Sequence, residues 1–108
     1  MKFFLGFILF ALAGPALAQA TAPAGNAAAA KSKISMCTGC HGIPGYKTVY
    51  PYMYQVPMIT GQQAVYIVNA LQAYKSGARS HPSMRGIAQS LTEQDMADLA
   101  AYYSSEQQ

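Results

Sequence analysis

The sequence has 108 residues, 52% of them hydrophobic and 10% charged, with seven Lys and Arg against four Asp and Glu and a formal net charge of +3. A chain this short forms one domain at most, and its basic residues are too sparse for a nucleic-acid surface, which needs a dense Lys/Arg cluster. Two Cys and two His in the whole chain also make a four-ligand structural zinc site hard to assemble.

Met1-Lys2 supplies a positive start, Phe3 to Ala13 is apolar apart from Gly6, Gly14-Pro15 breaks the run, and Ala16-Leu17-Ala18 offers small residues where a signal peptidase reads. Residues 1–18 are therefore predicted to be a signal peptide, cleaved after Ala18 to leave Gln19 to Gln108, with cleavage after Ala20 as the second choice. The apolar run falls short of the ~20 residues a membrane helix needs, so an uncleaved anchor is the weaker alternative. Export places the product in a bacterial periplasm. Residues 19–29 read as a flexible Ala-rich lead-in and residues 30–108 as the domain. Domains this small often lean on a disulfide, a metal or a cofactor to reach stability.

The first helix is predicted from about Ala27 to Cys40, with Ala30, Ile34 and Cys37 on one stripe and Lys31 and Lys33 pointing away. Gly42 and Pro44 end it. At its C-terminal end stands Cys37-Thr38-Gly39-Cys40-His41, the spacing used for c-type haem attachment. On a helix, Cys37, Cys40 and His41 share one face, so the two thiols would add to the haem vinyl groups as thioethers while His41 reaches the iron. A thioredoxin-like redox pair would need alternating strands and helices, which the chain lacks. For zinc, His41 is badly placed beside Cys40 to close a ring. A plain structural disulfide is the bland alternative for an exported chain.

Gly45 to Met58 has no helical period and holds Tyr46, Tyr50, Tyr52 and Tyr54, of which one or two are expected to cover the haem edge. Thr60-Gly61-Gln62-Gln63 matches a capping box, followed by a stripe of Ala64, Ile67, Val68, Leu71 and Tyr74 that Gly77 ends. Ser80 to Leu91 reads as a second irregular segment containing Met84. Thr92 then caps a last helix, with Asp95 at N3 and Met96, Leu99, Ala100 and Tyr103 as its apolar stripe. Every basic residue of the mature chain, Lys31 to Arg85, precedes every acidic one, Glu93 to Glu106. Such a charge dipole can orient a protein toward a partner, though scattered solvated charges give the same pattern.

A haem iron held by one imidazole takes its sixth ligand from Met, His or Lys, or leaves the position open. A thioether favours ferrous iron and suits electron carriage. The mature candidates are Met36, Met53, Met58, Met84 and Met96, with His81 as a further possibility. Met36 adjoins the attachment helix and Met96 lies on a packing stripe, whereas Met84 stands between two helices, far enough along the chain to return to the opposite face. Pro82 stiffens its approach and Gly86 lets the backbone turn away. His41 and Met84 are the predicted axial pair.

The sequence resembles the class I c-type cytochromes, and among them the short periplasmic single-haem proteins similar to one half of the two-haem type. The resemblance rests on Cys37-Thr38-Gly39-Cys40-His41-Gly42, Pro57-Met58-Ile59-Thr60-Gly61-Gln62, His81-Pro82-Ser83-Met84, and Leu91-Thr92-Glu93-Gln94-Asp95 leading to Leu99-Ala100-Ala101-Tyr102-Tyr103. It implies an all-α fold of three to four helices around one covalently bound haem c, with the first and last helices crossing near it. It also implies that the Pro57 carbonyl accepts from His41, which would put Met58 on the proximal side and supports Met84 as the distal ligand. The implied function is that of a soluble periplasmic electron carrier, not an enzyme, acting as a monomer between redox protein partners, with transient contact with membrane redox complexes possible and no nucleic acid. The alternatives are an electron-transfer subunit of a periplasmic dehydrogenase or membrane oxidase, and a ligand-binding or peroxidatic haem protein with an open sixth position.

Overall fold

The computed structural model describes residues 22–105, so the predicted signal peptide lies outside the described residues. The elements in chain order are α1 (Ala27–Ala30), α2 (Ser35–His41), β1 (Lys47–Thr48), β2 (Tyr54–Gln55), α3 (Ala64–Ser76), α4 (Pro82–Ser90) and α5 (Glu93–Ser105). The fold is predominantly helical, as predicted. The two strands form a small antiparallel ladder, Lys47 opposite Gln55 and Thr48 opposite Tyr54.

The first helix comes in two pieces rather than one. Asn26 caps α1, its side chain accepting from the Ala28 and Ala29 amides at 3.0 and 3.4 Å. At the break, the Lys33 and Ile34 amides both donate to the Ala30 carbonyl, at 2.8 and 3.1 Å, a tightening of the 3₁₀ kind. Lys33, expected to point away, forms an ion pair with Asp95 of α5.

Ala24 to Ala30, most of it within the predicted lead-in, is docked on α5. The Asn26 amide donates to Asp98 Oδ1 at 2.8 Å, Gln94 Nε2 donates to the Ala24 carbonyl at 2.8 Å, and Ala30 is fully buried. The backbones approach so closely that a Cβ on Gly25 would stand 2.1 Å from the Ala97 carbonyl oxygen. Gly25→Ala is therefore expected to push the terminal segment off α5 and to destabilise the protein by about 1–3 kcal/mol, the usual cost of overpacking, read from the urea midpoint. Asp95 and Asp98 thus hold residues 26–33 against α5, which gives part of the charge asymmetry a role within the fold.

α5 starts with the predicted reciprocal capping box: Asp95 N donates to Thr92 Oγ1 at 3.1 Å, and Thr92 N donates to Asp95 Oδ2 at 2.9 Å. Thr92→Ala should cost about 1 kcal/mol. The Lys33 ammonium first, and the Thr92 backbone N–H next, hold the Asp95 carboxyl down to about 2. An unfolded Asp titrates near about 3.9. The folded state therefore gains from ionised Asp95 above that value and loses the gain as pH falls through about 2. The urea midpoint should decline over this window, and Asp95→Asn should flatten the decline.

α3 starts later than its sequence indicates. The predicted N-cap was Thr60, but Gly61 has φ +82° and its amide donates to the Tyr103 carbonyl at 2.8 Å. A left-handed residue cannot continue a helix, so Gln63 takes the cap position. Gly77, at φ +85°, ends α3 as expected.

α4 corrects the prediction of an irregular segment from Ser80 to Leu91. Pro82 occupies the first helical turn, where its missing N–H costs nothing, and the ring nitrogen of His81 caps the helix by accepting from the Met84 amide at 3.3 Å. Met84 therefore sits in the first turn of a helix rather than in a loop. Ala88 and Leu91 join Ile67 and Leu71 of α3 and Met96, Leu99, Ala100 and Tyr103 of α5 in the buried core.

Candidate functional site

The segment 48–62, α2, α3 and α4 surround a cleft of about 890 Å³, near the upper end of the ~300–1,000 Å³ range of ligand sites. Cys40 and His41 reach it from α2, Tyr54, Pro57 and Met58 from the ladder and the strand exit, Tyr66, Ile67, Leu71 and Tyr74 from α3, and His81, Met84 and Ile87 from around α4. A smaller space of about 40 Å³ shares His41, Ile67, Leu71 and Met84 with the cleft, and adds Cys37 and the core residues Leu91, Leu99 and Tyr103. The shared residues form a wall between the two spaces, and the smaller lies on the core side.

The ligand geometry is set at His41. Its Nδ1 lies 2.7 Å from the Pro57 carbonyl oxygen. A carbonyl only accepts, so Nδ1 carries the proton and Nε2 keeps its lone pair for a metal. The resemblance implied this bond from residues sixteen apart in sequence. Cys37 and Cys40 are both free of disulfide and partly buried, and burial pushes the Cys37 thiol up.

The five methionines now separate. Met53 is 71% exposed and does not line the cleft, while Met96 is 1% exposed within the core, the packing role expected of it. Met36, Met58 and Met84 line the cleft. Met36 precedes Cys37 on α2 and Met58 follows Pro57, so both stand on segments that hold the His41 ring. Met84 arrives from α4, independently of that group.

Of the tyrosines in the loop, Tyr54 lines the cleft and its ring meets that of His81 at a tilt of 55°, with centroids 4.4 Å apart. Tyr50 and Tyr52 are exposed at the hairpin tip. Sequence reasoning passed over Tyr66 and Arg79. The guanidinium lies 4.8 Å from the Tyr74 ring centroid and donates to the Tyr66 hydroxyl at 3.4 Å, which sets a permanent positive charge at the rim. The zinc alternative finds no support: among the described residues no three His, Cys, Asp or Glu side chains gather as a metal site.

These features fit a covalently attached haem: a large cleft with apolar walls, one free thiol at its wall and a second in the adjoining space, an imidazole held by the Pro57 carbonyl, a thioether from another element, and the buried Tyr103 hydroxyl, which has no partner among the described residues. Comparison with known proteins agrees. The sequence profile of the Cytochrome c family matches residues 24–106. Cytochrome c-554(548) of Halomonas halodenitrificans is 41% identical over 87 residues, covering 78% of this chain and 100% of that protein. Cytochrome c4 of Pseudomonas aeruginosa is 35% identical over 83 residues, covering 77% of this chain and 39% of the relative. A protein of Thiomonas intermedia named thiosulfate dehydrogenase electron acceptor is 34% identical over 77 residues, covering 71% of this chain and 34% of the relative. The chain spans about two-fifths of the length of the cytochrome c4 relatives it matches.

Proposed function

Because the chain belongs to the cytochrome c family, and is an electron carrier rather than an enzyme, we propose that it works in the periplasm, shuttling single electrons between redox proteins with His41 and Met84 as axial ligands. Its two cysteines, Cys37 and Cys40, account for one haem c. When bound, the haem supplies one iron that exchanges a single electron between ferric and ferrous states.

The observation that supports the ligand assignment is that one cleft is lined both by an imidazole whose Nδ1 is already bonded to Pro57 and by a methionine from a separate helix. The Pro57 carbonyl fixes the ring and raises the basicity of Nε2. The Met84 thioether favours the reduced state. Ile67, Leu71 and Ile87 keep water from the cleft walls. Arg79, Tyr66 and His81 give the rim its polar groups.

Periplasmic location follows from the predicted signal peptide at residues 1–18, and no helix among the described residues is long and apolar enough to cross a membrane. Expression with its leader should give a periplasmic product whose intact mass starts at Gln19 and includes one haem. A mass starting at Met1 would mark an uncleaved anchor. The relative named as an electron acceptor of a dehydrogenase favours a protein donor of that class. A carrier purifies alone as a monomer and is reduced reversibly by one electron, whereas a complex subunit co-purifies with its enzyme.

A further inference from the structure

Tyr103 is 5% exposed, and its hydroxyl is the buried side-chain polar atom that lacks a hydrogen-bond partner among the described residues. A buried hydroxyl left unpaired is costly, and Leu or Phe would fill the same space without that cost. The ring is not free to turn the hydroxyl out to water. Met96, Leu99 and Ala100 share its stripe in the core, the Tyr102 ring meets it edge-on at 5.1 Å, and its own carbonyl accepts from the Gly61 amide at 2.8 Å. It lines the smaller space beside the cleft together with Cys37, whose thiol is its polar neighbour.

We propose that the Tyr103 hydroxyl donates a hydrogen bond to the sulfur of Cys37 once that sulfur is the haem thioether, making Tyr103 a positioning residue that raises the reduction potential. The bond points the positive end of the O–H dipole at the haem edge, which disfavours the more positive ferric state. Hydrogen bonding of this kind is one of the levers by which a protein sets a haem potential. The potential moves by the difference in this bond's strength between the two oxidation states, which is bounded by the whole bond: about fivefold in the ferrous-to-ferric ratio at most, or about 40 mV at 59 mV per tenfold. The inference rests on attachment of the haem through Cys37.

The test is a redox titration of haem-loaded Tyr103→Phe beside the parent and Tyr102→Phe, after haem content and the methionine charge-transfer band have been recorded for each. A parent without covalent haem would fail the cytochrome reading itself, which keeps the two failures apart. The expected result is a potential lower by up to about 40 mV in Tyr103→Phe, with Tyr102→Phe unchanged and the methionine band retained in both. An unchanged potential in Tyr103→Phe overturns the proposal; a higher thermal midpoint in the same variant would show the parent hydroxyl to be unpaired there too. Should Tyr103→Phe fail to fold, proton NMR of the ferrous parent decides. A slowly exchanging Tyr103 hydroxyl proton with cross-relaxation to the Cys37 β-protons supports the bond, and its absence overturns it.

Discussion

Replacing Met84 by Ala leaves the haem covalently attached but removes the thioether, so the ferric protein loses its methionine charge-transfer band and the reduced protein binds carbon monoxide on mixing. The potential should fall by on the order of 0.1 V or more, within the ~0.8 V range that axial ligands span. Some stability goes as well, because Met84 is partly buried and packs against the buried cluster. For a half-buried site the loss should sit near the low end of the ~2–5 kcal/mol cost of Met→Ala. The same substitution at Met58, which also lines the cleft, should leave the band in place. If Met58→Ala removes the band and Met84→Ala does not, the axial assignment is reversed.

The second large effect is on folding. The double substitution Cys37→Ser with Cys40→Ser should yield an exported chain with no covalent haem and no cooperative unfolding transition. The reason lies in the size of the core. Its buried hydrophobic set, from Ala30 to Tyr103, is short and rich in alanine, and the cleft of about 890 Å³ opens between α2, α3 and α4. Met84 and Ile87, which face that space, are only partly buried, and without a filler this apolar surface remains wet. The packing of residues 24–33 on α5, held by Lys33–Asp95 and Asn26–Asp98, and that of α3 on α5 do not depend on a filler, but they are too small a core to fold cooperatively alone. Circular dichroism would show residual helix, and a heat-capacity peak like that of the parent would contradict the expectation.

What the sequence made legible was the chemistry that depends on local spacing. Cys37, Cys40 and His41 share a helix turn whatever the rest of the fold does. Thr92 and Asp95 cap α5 reciprocally because a capping box needs only residues three apart. The misses came where a distant contact decided a local matter. Thr60 and Gln63 have the letters of a capping box, but Gly61 is drawn into a left-handed turn by its bond to Tyr103, so α3 waits until Ala64. α4 was hidden because its cap is a histidine, outside the usual Ser, Thr, Asp and Asn set, and because Pro82, a helix former only at the first turn, read as a breaker. Lys33 and Asp95 are invisible as a pair because they are brought together by the packing of α1 and the turn after it on α5. The strands, two residues each, are too short for any alternation to register.

The axial pair is the centre of the account, and proton NMR of the ferrous protein with carbon-13-labelled methionine methyl groups tests it most directly. A methyl held over the face of the macrocycle is shifted far upfield by the ring current, and no other methionine in the chain shares that position. One such methyl is predicted, and it should vanish in Met84→Leu while the remaining methionine signals stay. A spectrum with no shifted methyl, or one whose shifted methyl survives Met84→Leu, contradicts His41/Met84 ligation.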